Sequence, residues 1–388
     1  MPQPLFPASF FSSLFTTGGY DIRALMVVCR YLGDVLLATP LAESLCRAGY
    51  RVDWVVAPGT ESILEQQSCA DQVFVTGPTS PLRQQLDTGR RLWRKYDLAF
   101  ALPSNDRSML LSLAASRTVH AMIPAHRRQD AWKRHVSKVW ADYTPGAHMV
   151  ALACNLAEAS HLPACRDVQI QWSEDDMQQV FASLPWAENT PFLHIHPFAR
   201  WPYKWWRKAA WQQLIQAALD RDLKVVLTGS PTELDKAEEI VTNFPPSDVH
   251  IAAGTFNWRQ LACLSKYAAA YIGMDTANTH LAAAAGANVV ALFGPTDPRI
   301  WGPWPNEFAG NSPWQASSPD GIQRQGNISL LQGRQDCIPC QLEGCDKRQD
   351  SISLCLKEMQ ADWVWHEVEA RIHQSEANPD TSKETIQL

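Results

Sequence analysis

The sequence predicts an α/β protein: two Rossmann-like, doubly wound halves of mostly parallel sheet facing each other across a cleft. Three observations carry this expectation. Strand-length apolar runs alternate with helix-period segments over residues 24–123, and the alternation restarts at 192 and runs to 293. The stretch Tyr271–Pro305 places two such strands around an alanine-rich helix, with a polar turn after each strand. No low-complexity insert interrupts either half, and no apolar run approaches the ~20 residues of a membrane span.

Taken in order, Ala24–Cys29 is a continuous apolar strand, and Val35–Arg47 is a helix entered through Gly33-Asp34. Strands follow at Arg51–Ala57, Val73–Val75 and Leu98–Leu102, with a basic helix at Arg83–Arg94. A helix at Arg107–Ala115 leads to the strand Val119–Ile123. Residues 125–143 are basic and aromatic, either a solvated segment or a site for an anionic partner. Val150–Ala159 is a helix, and Pro163–Trp186 reads as the link between halves. The second half sets strands at Phe192–His196, Val225–Leu227 and His250–Ala252 against helices at Lys208–Leu219, Thr232–Val241 and Trp258–Ser265. After the strand–helix–strand unit at 271–293 the periodicity fades until a final amphipathic helix, Leu356–Ser375, and a polar tail.

At 388 residues, two domains are the natural expectation. A net charge of −6 argues against a general nucleic-acid binder. Residues 1–20 carry Phe6, Phe10, Phe11 and Phe15 without Lys or Arg, so the basic start of a secretory signal is missing. This leader is expected to be a frayed extension or a small apolar contact with a membrane or partner. Ten scattered Cys fit a reducing cytoplasm better than a disulfide scaffold.

Four constellations can carry chemistry. Gly33-Asp34 opens the first strand-to-helix turn, where a carboxylate is either a plain cap or a general base at the cleft. His194–Trp206 (HIHPFARWPYKWW) ends a strand in Arg200, Lys204 and aromatic rings, as a diphosphate with a flat base would require. Its two histidines lack a nearby third ligand, so a core or hydrogen-bonding role is favoured over a metal. Thr228–Glu233 offers an acid that can hold a ribose hydroxyl pair or simply favour a helix start. Cys337, Cys340, Cys345 and Cys355 can make a tetrahedral zinc or iron–sulfur site, or remain free thiols packing a loop. The turn at Asp275–Thr279 supplies free N–H groups and hydroxyls suited to an anion.

Absences discriminate as well. Neither a G-x-G-x-x-G turn after a strand nor a P-loop is present, which disfavours NAD enzymes and P-loop enzymes. The only D-x-D, Asp220-Arg221-Asp222, lies at the wrong end of the sheet for a metal–diphosphate site. Metal-independent chemistry is therefore expected, with fixed cations and helix N-termini neutralising the leaving group.

LGDVLLATPL (Leu32–Leu41), HIHPFARWPYKWW, LTGSPTE (Leu227–Glu233), GMDTANTHLAAAAG (Gly273–Gly286) and ALFGPTDP (Ala291–Pro298), in this order, resemble the heptosyltransferase family of GT-B glycosyltransferases (family 9). The resemblance spans about Leu25 to Met359. WGPWP (Trp301–Pro305) and CIPC (Cys337–Cys340) look like the heptosyltransferase III branch, which adds a side heptose to lipopolysaccharide core.

The resemblance implies an inverting transfer of heptose from ADP-heptose to a sugar hydroxyl of the lipid A-core, with no cofactor required. It implies a cytoplasmic enzyme, with contact at the inner membrane an option. By family position Asp34 is the general base. Lys204 binds the donor diphosphate, and Asp275, Thr276 and the backbone from Ala277 hold donor phosphate and sugar. His280 in the same motif is either structural or near the donor. Arg200 is placed beside Lys204 from its own charge and position rather than from the family. Thr228 and Glu233 lie at the nucleoside, Glu233 at the ribose. Basic Arg117, Arg127, Arg128, Lys133 and Arg134 are expected on the acceptor side, facing phosphorylated core sugars or anionic lipid.

The implied layout is a leader at 1–20, an acceptor-side half at 21–185, a nucleotide-sugar half at 186–360, and a helix with a polar tail at 361–388. Two positions depart from the family pattern. Ala277 stands where Gly is usual, and Arg30 and Tyr31 stand where Ser or Thr is common. A related transferase using another nucleotide-sugar, and a non-catalytic nucleotide-sugar-binding homologue, remain the competing readings.

Overall fold

A computed structural model describes residues 21–125, 128–143, 146–187 and 189–377. The Phe-rich leader, Arg127 and the polar tail beyond 377 lie outside the described residues. Two sheets organise the chain. The first contains β1 (Arg23–Val28), β2 (Arg51–Val56), β3 (Val73–Val75), β4 (Leu98–Ala101), β5 (Val119–Pro124) and β6 (Val139–Tyr143), in the order β3-β2-β1-β4-β5-β6. Every pairing in it is parallel. β4 is buried throughout and β1 is buried beyond its first residue, Arg23, because helices cover both faces of such a sheet.

The second sheet contains β7 (Phe192–His196), β8 (Lys224–Gly229), β9 (Val249–Ala253), β10 (Ala270–Met274), β11 (Val289–Phe293), β12 (Ile322–Gln325) and β13 (Ile328–Gln332). Their order is β12-β13-β11-β10-β7-β8-β9, parallel except for the β12–β13 hairpin. In each sheet the strand order reverses once near the middle, beside β1 in the first and between β7 and β10 in the second. Ligands of open α/β sheets sit at the carboxyl ends of strands at such reversals. Residues 29–34, 197–204 and 275–280 occupy those ends.

The structure departs from the sequence-based expectation at several elements. The first helix is not a single run from Val35. It is Leu32–Leu36 followed by Thr39–Arg47, with Pro40 in the first turn of the second piece. Tyr31, not Asp34, is the N-cap, which moves Asp34 inside the first turn. The basic segment 125–143 contains β6, whose half-buried edge position weakens its apolar pattern. The linking stretch holds a helix, Glu174–Ser183, started by a Ser173–Asp176 capping box. The region beyond Trp304 contains the β12–β13 hairpin, and the last helix begins later than expected, at Ala361. Among the described residues no helix is long and apolar enough to cross a membrane.

The two halves share a packed seam. Leu261, Ala262, Leu281, Ala284, Ala285 and Trp304 belong to the same apolar cluster as Leu32, Leu36 and Leu152. His148 ties this seam through Nε2 to the Gly302 carbonyl at 2.8 Å and packs against the Trp304 ring. Trp304 is 1% exposed. Replacing it with Ala opens a cavity under both halves. The expected cost is about 3–5 kcal/mol, seen as a lower denaturant midpoint; an unchanged midpoint would mean the seam contributes little to stability.

Candidate active site

Asp34 sits at the carboxyl end of β1. Its Oδ2 accepts from the Tyr31 N–H at 3.3 Å, closing the first turn of helix 32–36. The residue is buried, and Arg30 Nε stands 3.8 Å from Oδ2. Burial pushes its pKa above the ordinary carboxylate value, while Arg30 and the Tyr31 N–H pull it back. The net shift is upward, towards the range useful to a general base. Gly33 opens onto the same space: a Cβ there would meet nothing within 4 Å.

Across the cleft, Lys204 Nζ donates to Asp275 Oδ2 at 2.5 Å. Burial alone would lower the Lys204 pKa, but Asp275 outweighs it and the ammonium stays charged above its usual range. Both residues line a cavity of about 440 Å³ together with Asp34, Thr276, His280 and Asp297. The N-terminus of helix Ala277–Ala284 opens here, with no side chain capping it. Thr276 Oγ1 and His280 Nδ1 are buried without a hydrogen-bond partner. Free N–H groups, a lysine and unpaired polar atoms around one space suit an anionic ligand bearing hydroxyls.

A second cavity of about 590 Å³ adjoins it, lined by Phe198, Arg200, Glu233, Trp258, Thr276 and Asn278 among others. Gly229 also lines it. A Cβ there would lie 2.9 Å from the Phe198 ring, so the strand end must stay glycine for that ring to pack. Arg200 lies 5.5 Å over the Tyr31 ring and 5.0 Å over Trp201, so its guanidinium reaches the opposite half. Glu233 Oε2 accepts from both the N–H and the hydroxyl of Ser230, at 2.7 and 2.8 Å.

Thr228 does not join this lining. It is 1% exposed, and its hydroxyl lies between His194 Nε2 at 2.8 Å and His196 Nδ1 at 3.0 Å. The expectation of a ligand contact there is replaced by a buried relay that continues to Asn278 Nδ2, 2.9 Å from His196 Nε2. His194 and His196 are thus hydrogen-bonding core residues. Burial holds His196 and His280 down to about 4 and His194 well below its usual range.

A further cavity, about 740 Å³, opens in the first half at the ends of β4, β5 and β6. Its walls include Arg30, Asn105, Asp106, Asp130, Lys133 and Tyr143. Lys133 is buried between Asp130 at 2.5 Å and Asp106 at 3.0 Å. Of the basic residues expected on the acceptor side, Lys133 lines this cavity, and Arg128 and Arg134 do not. Arg128 is exposed outside the lining, and Arg134 spends its guanidinium on the carbonyls of Pro124 and Ala125 and on Asp142.

Cys337 and Cys345 are exposed while Cys355 is buried against Gly294. Among the described residues no group of three or more His, Cys, Asp or Glu side chains is placed to hold a metal ion. The thiols of Cys337, Cys340, Cys345 and Cys355 nonetheless stand near one another, since burial first and then the other three thiols raise Cys355 above its usual range. Asp297 was missed by sequence reasoning. It is 1% exposed, caps helix 298–301, pairs with Arg299 at 2.7 Å and lines the 440 Å³ cavity. The turn GPTDP pointed to its place, though not to its burial.

The family model for glycosyltransferase family 9 (heptosyltransferase) matches residues 86–321, more than half of the chain. The chain belongs to glycosyltransferase family 9. Its fold is GT-B, and it is a glycosyltransferase of the heptosyltransferase family. It is 26% identical to lipopolysaccharide heptosyltransferase 3 of Escherichia coli, over 71% of this chain and 83% of that protein. It is 27% identical to lipopolysaccharide heptosyltransferase 1 of Pseudomonas aeruginosa, over 72% and 81%. Among solved structures, ADP-heptose lipopolysaccharide heptosyltransferase II of E. coli superposes with a TM-score of 0.72 at 19% identity, covering 92% of this chain and all of that one.

Two outcomes follow for this family member's buried polar core. Thr228→Val leaves two buried histidines short of a partner, so stability should fall by about 1–3 kcal/mol in urea titration. An unchanged urea midpoint would mean the hydroxyl is not a working partner of the two rings. Because the histidines are held neutral, their contribution is present above their unfolded pKa near 6.5 and is lost as pH falls towards about 4. The urea midpoint should therefore drop between pH 7 and pH 5. A flat profile would mean these rings already titrate normally.

Proposed function

We propose that the chain is an inverting heptosyltransferase that moves heptose from ADP-heptose to a hydroxyl of the lipopolysaccharide core, of the heptosyltransferase III type. The observation that carries this reading is the 440 Å³ cavity, which sets a buried carboxylate of one half, Asp34, opposite the Lys204–Asp275 pair and an uncapped helix N-terminus of the other. In this reading residues 21–185 form the acceptor-side domain and 186–360 the donor domain. The diphosphate lies against Lys204 and the N–H groups at Ala277, with Thr276, Asp275 and His280 near phosphate and sugar. The nucleoside fills the adjoining cavity between Arg200, Trp258 and Glu233. The lipid A-core approaches from the 740 Å³ cavity, at the cytoplasmic face of the inner membrane.

The step is a single displacement. The acceptor oxygen bonds to the anomeric carbon as the bond from that carbon to the diphosphate oxygen breaks, and Asp34 takes the acceptor's proton. Charge accumulates on the departing nucleoside diphosphate, where Lys204 and the helix N-terminus are already oriented to receive it. Attack opposite the leaving group inverts the centre. Fixed protein cations supply the neutralisation in this scheme, so chelation should leave the rate unchanged.

The test is turnover of a nucleotide-sugar panel, ADP-heptose beside UDP-sugars, on core acceptor lacking the side heptose, with and without EDTA. Selective, EDTA-insensitive use of ADP-heptose supports the reading; preference for a UDP-sugar overturns the donor. Asp34→Asn should cut kcat by about a hundred- to ten-thousand-fold with ADP affinity within a few-fold. Lys204→Ala should instead weaken ADP binding, since it also leaves Asp275 unpaired in a mostly buried site. Full turnover by Asp34→Asn would remove that carboxylate from the mechanism.

A further inference from the structure

Among the described residues, Arg30 alone lines both the 440 Å³ cavity at Asp34 and the 740 Å³ cavity of the first half. Its guanidinium stands where these two spaces meet. One side faces Asp34 at 3.8 Å, too long for a tight hydrogen bond, so the pair is electrostatic and loose. The side chain remains 43% exposed, which leaves most of the five guanidinium donors open to a ligand. Its plane is steadied by Tyr31, 5.5 Å away, while Arg200 of the other half lies 5.5 Å over the same ring. A cation from each half thus rests on one tyrosine at the mouth of the cleft.

We propose that Arg30 is a positioning residue of the transfer: it steers the Asp34 carboxylate on one side and takes an oxygen of the polyhydroxylated acceptor entering from the larger cavity on the other. The proposal rests on the function reading above and adds a residue to it. Other groups around Asp34 are already committed or neutral. Lys204 is held by Asp275, and Asp297 by Arg299. His280 is kept neutral by burial, and the Tyr143 hydroxyl on β6 is raised above its usual range by burial and by Asp34. The Tyr31 N–H is a backbone donor with no charge to lose. Arg30 is therefore the cation whose removal changes the charge felt by Asp34. Without it, burial dominates and the carboxyl loses its proton only at higher pH.

The experiment compares wild type with Arg30→Ala, Arg30→Gln and Arg30→Lys, measuring kcat and KM for the acceptor across pH 5.5–9 and ADP affinity by calorimetry. Both neutral variants should lower kcat/KM for the acceptor by about ten- to a hundredfold at neutral pH. Their acid limb should move to higher pH by about one unit, the usual scale for a nearby opposite charge. ADP affinity should stay within about threefold, and Arg30→Lys should return the limb while restoring acceptor KM only in part. A folded neutral variant whose limb stays in place, or whose whole loss lies in ADP affinity, overturns the proposal. The glutamine variant keeps the size and polarity of the site if alanine destabilises the turn. If the panel selects a different nucleotide-sugar, the limb is read with that donor, so the donor assignment and the role of Arg30 fail separately. A wild type with no transferase activity overturns both.

Discussion

Helix 277–284 has to satisfy two neighbours at once, and much of the molecule follows from that constraint. Its inner side lies on the second sheet, and its outer side packs against helix 32–36 of the first half. A helix clasped between two halves cannot carry long side chains around its circumference. The run Leu281–Ala285 answers this with one leucine and four alanines, which allow backbones to approach closely while retaining high helix propensity. The same packing fixes the direction of the helix axis. Its first N–H groups are left pointing at the space between Asp34 and Lys204.

Charge in that space is arranged in opposition. The first half brings a mostly buried carboxylate restrained by one arginine, and the second half brings a lysine restrained by one aspartate. Each pair lies near a strand-order reversal of its own sheet, where the diverging crossover helices leave a crevice. Burial acts on the two pairs in different senses. It raises the Asp34 pKa and dominates there because Arg30 stands off, whereas the short contact to Asp275 overcomes burial at Lys204. A carboxylate readied to accept a proton and a cation kept charged are what the proposed displacement asks of opposite walls.

Behind the donor wall, histidines, a threonine and an asparagine form a continuous buried chain from Ser265 to Asn278. Such a network is costly unless every member is paired, and its interior members are. Asn278 Oδ1 at its outer end is the exception, and that residue lines the larger of the two donor-side cavities. Polar atoms lacking a partner are thus gathered where a ligand would supply one.

The sequence by itself determined the α/β alternation, most strand positions in both halves, and the placement of Asp34, Lys204, Asp275 and His280 near strand ends. These are local properties: an apolar run of strand length, a glycine or capping residue after it, and a helix period beyond. It did not determine β6, helix 174–183 or the β12–β13 hairpin, whose half-buried or edge positions blur the apolar pattern. Tertiary structure alone decided that Thr228 turns inward between two histidines, that Arg134 serves backbone carbonyls, and that Asp297 is buried. Each depends on which neighbour from a distant segment reaches the side chain first, and spacing along the chain does not encode that. Arg30 shows the division most plainly. The sequence marked it as a departure from the family pattern, but its position between two cavities exists only once β1, β4, β5 and β6 lie side by side and the second half closes over Tyr31.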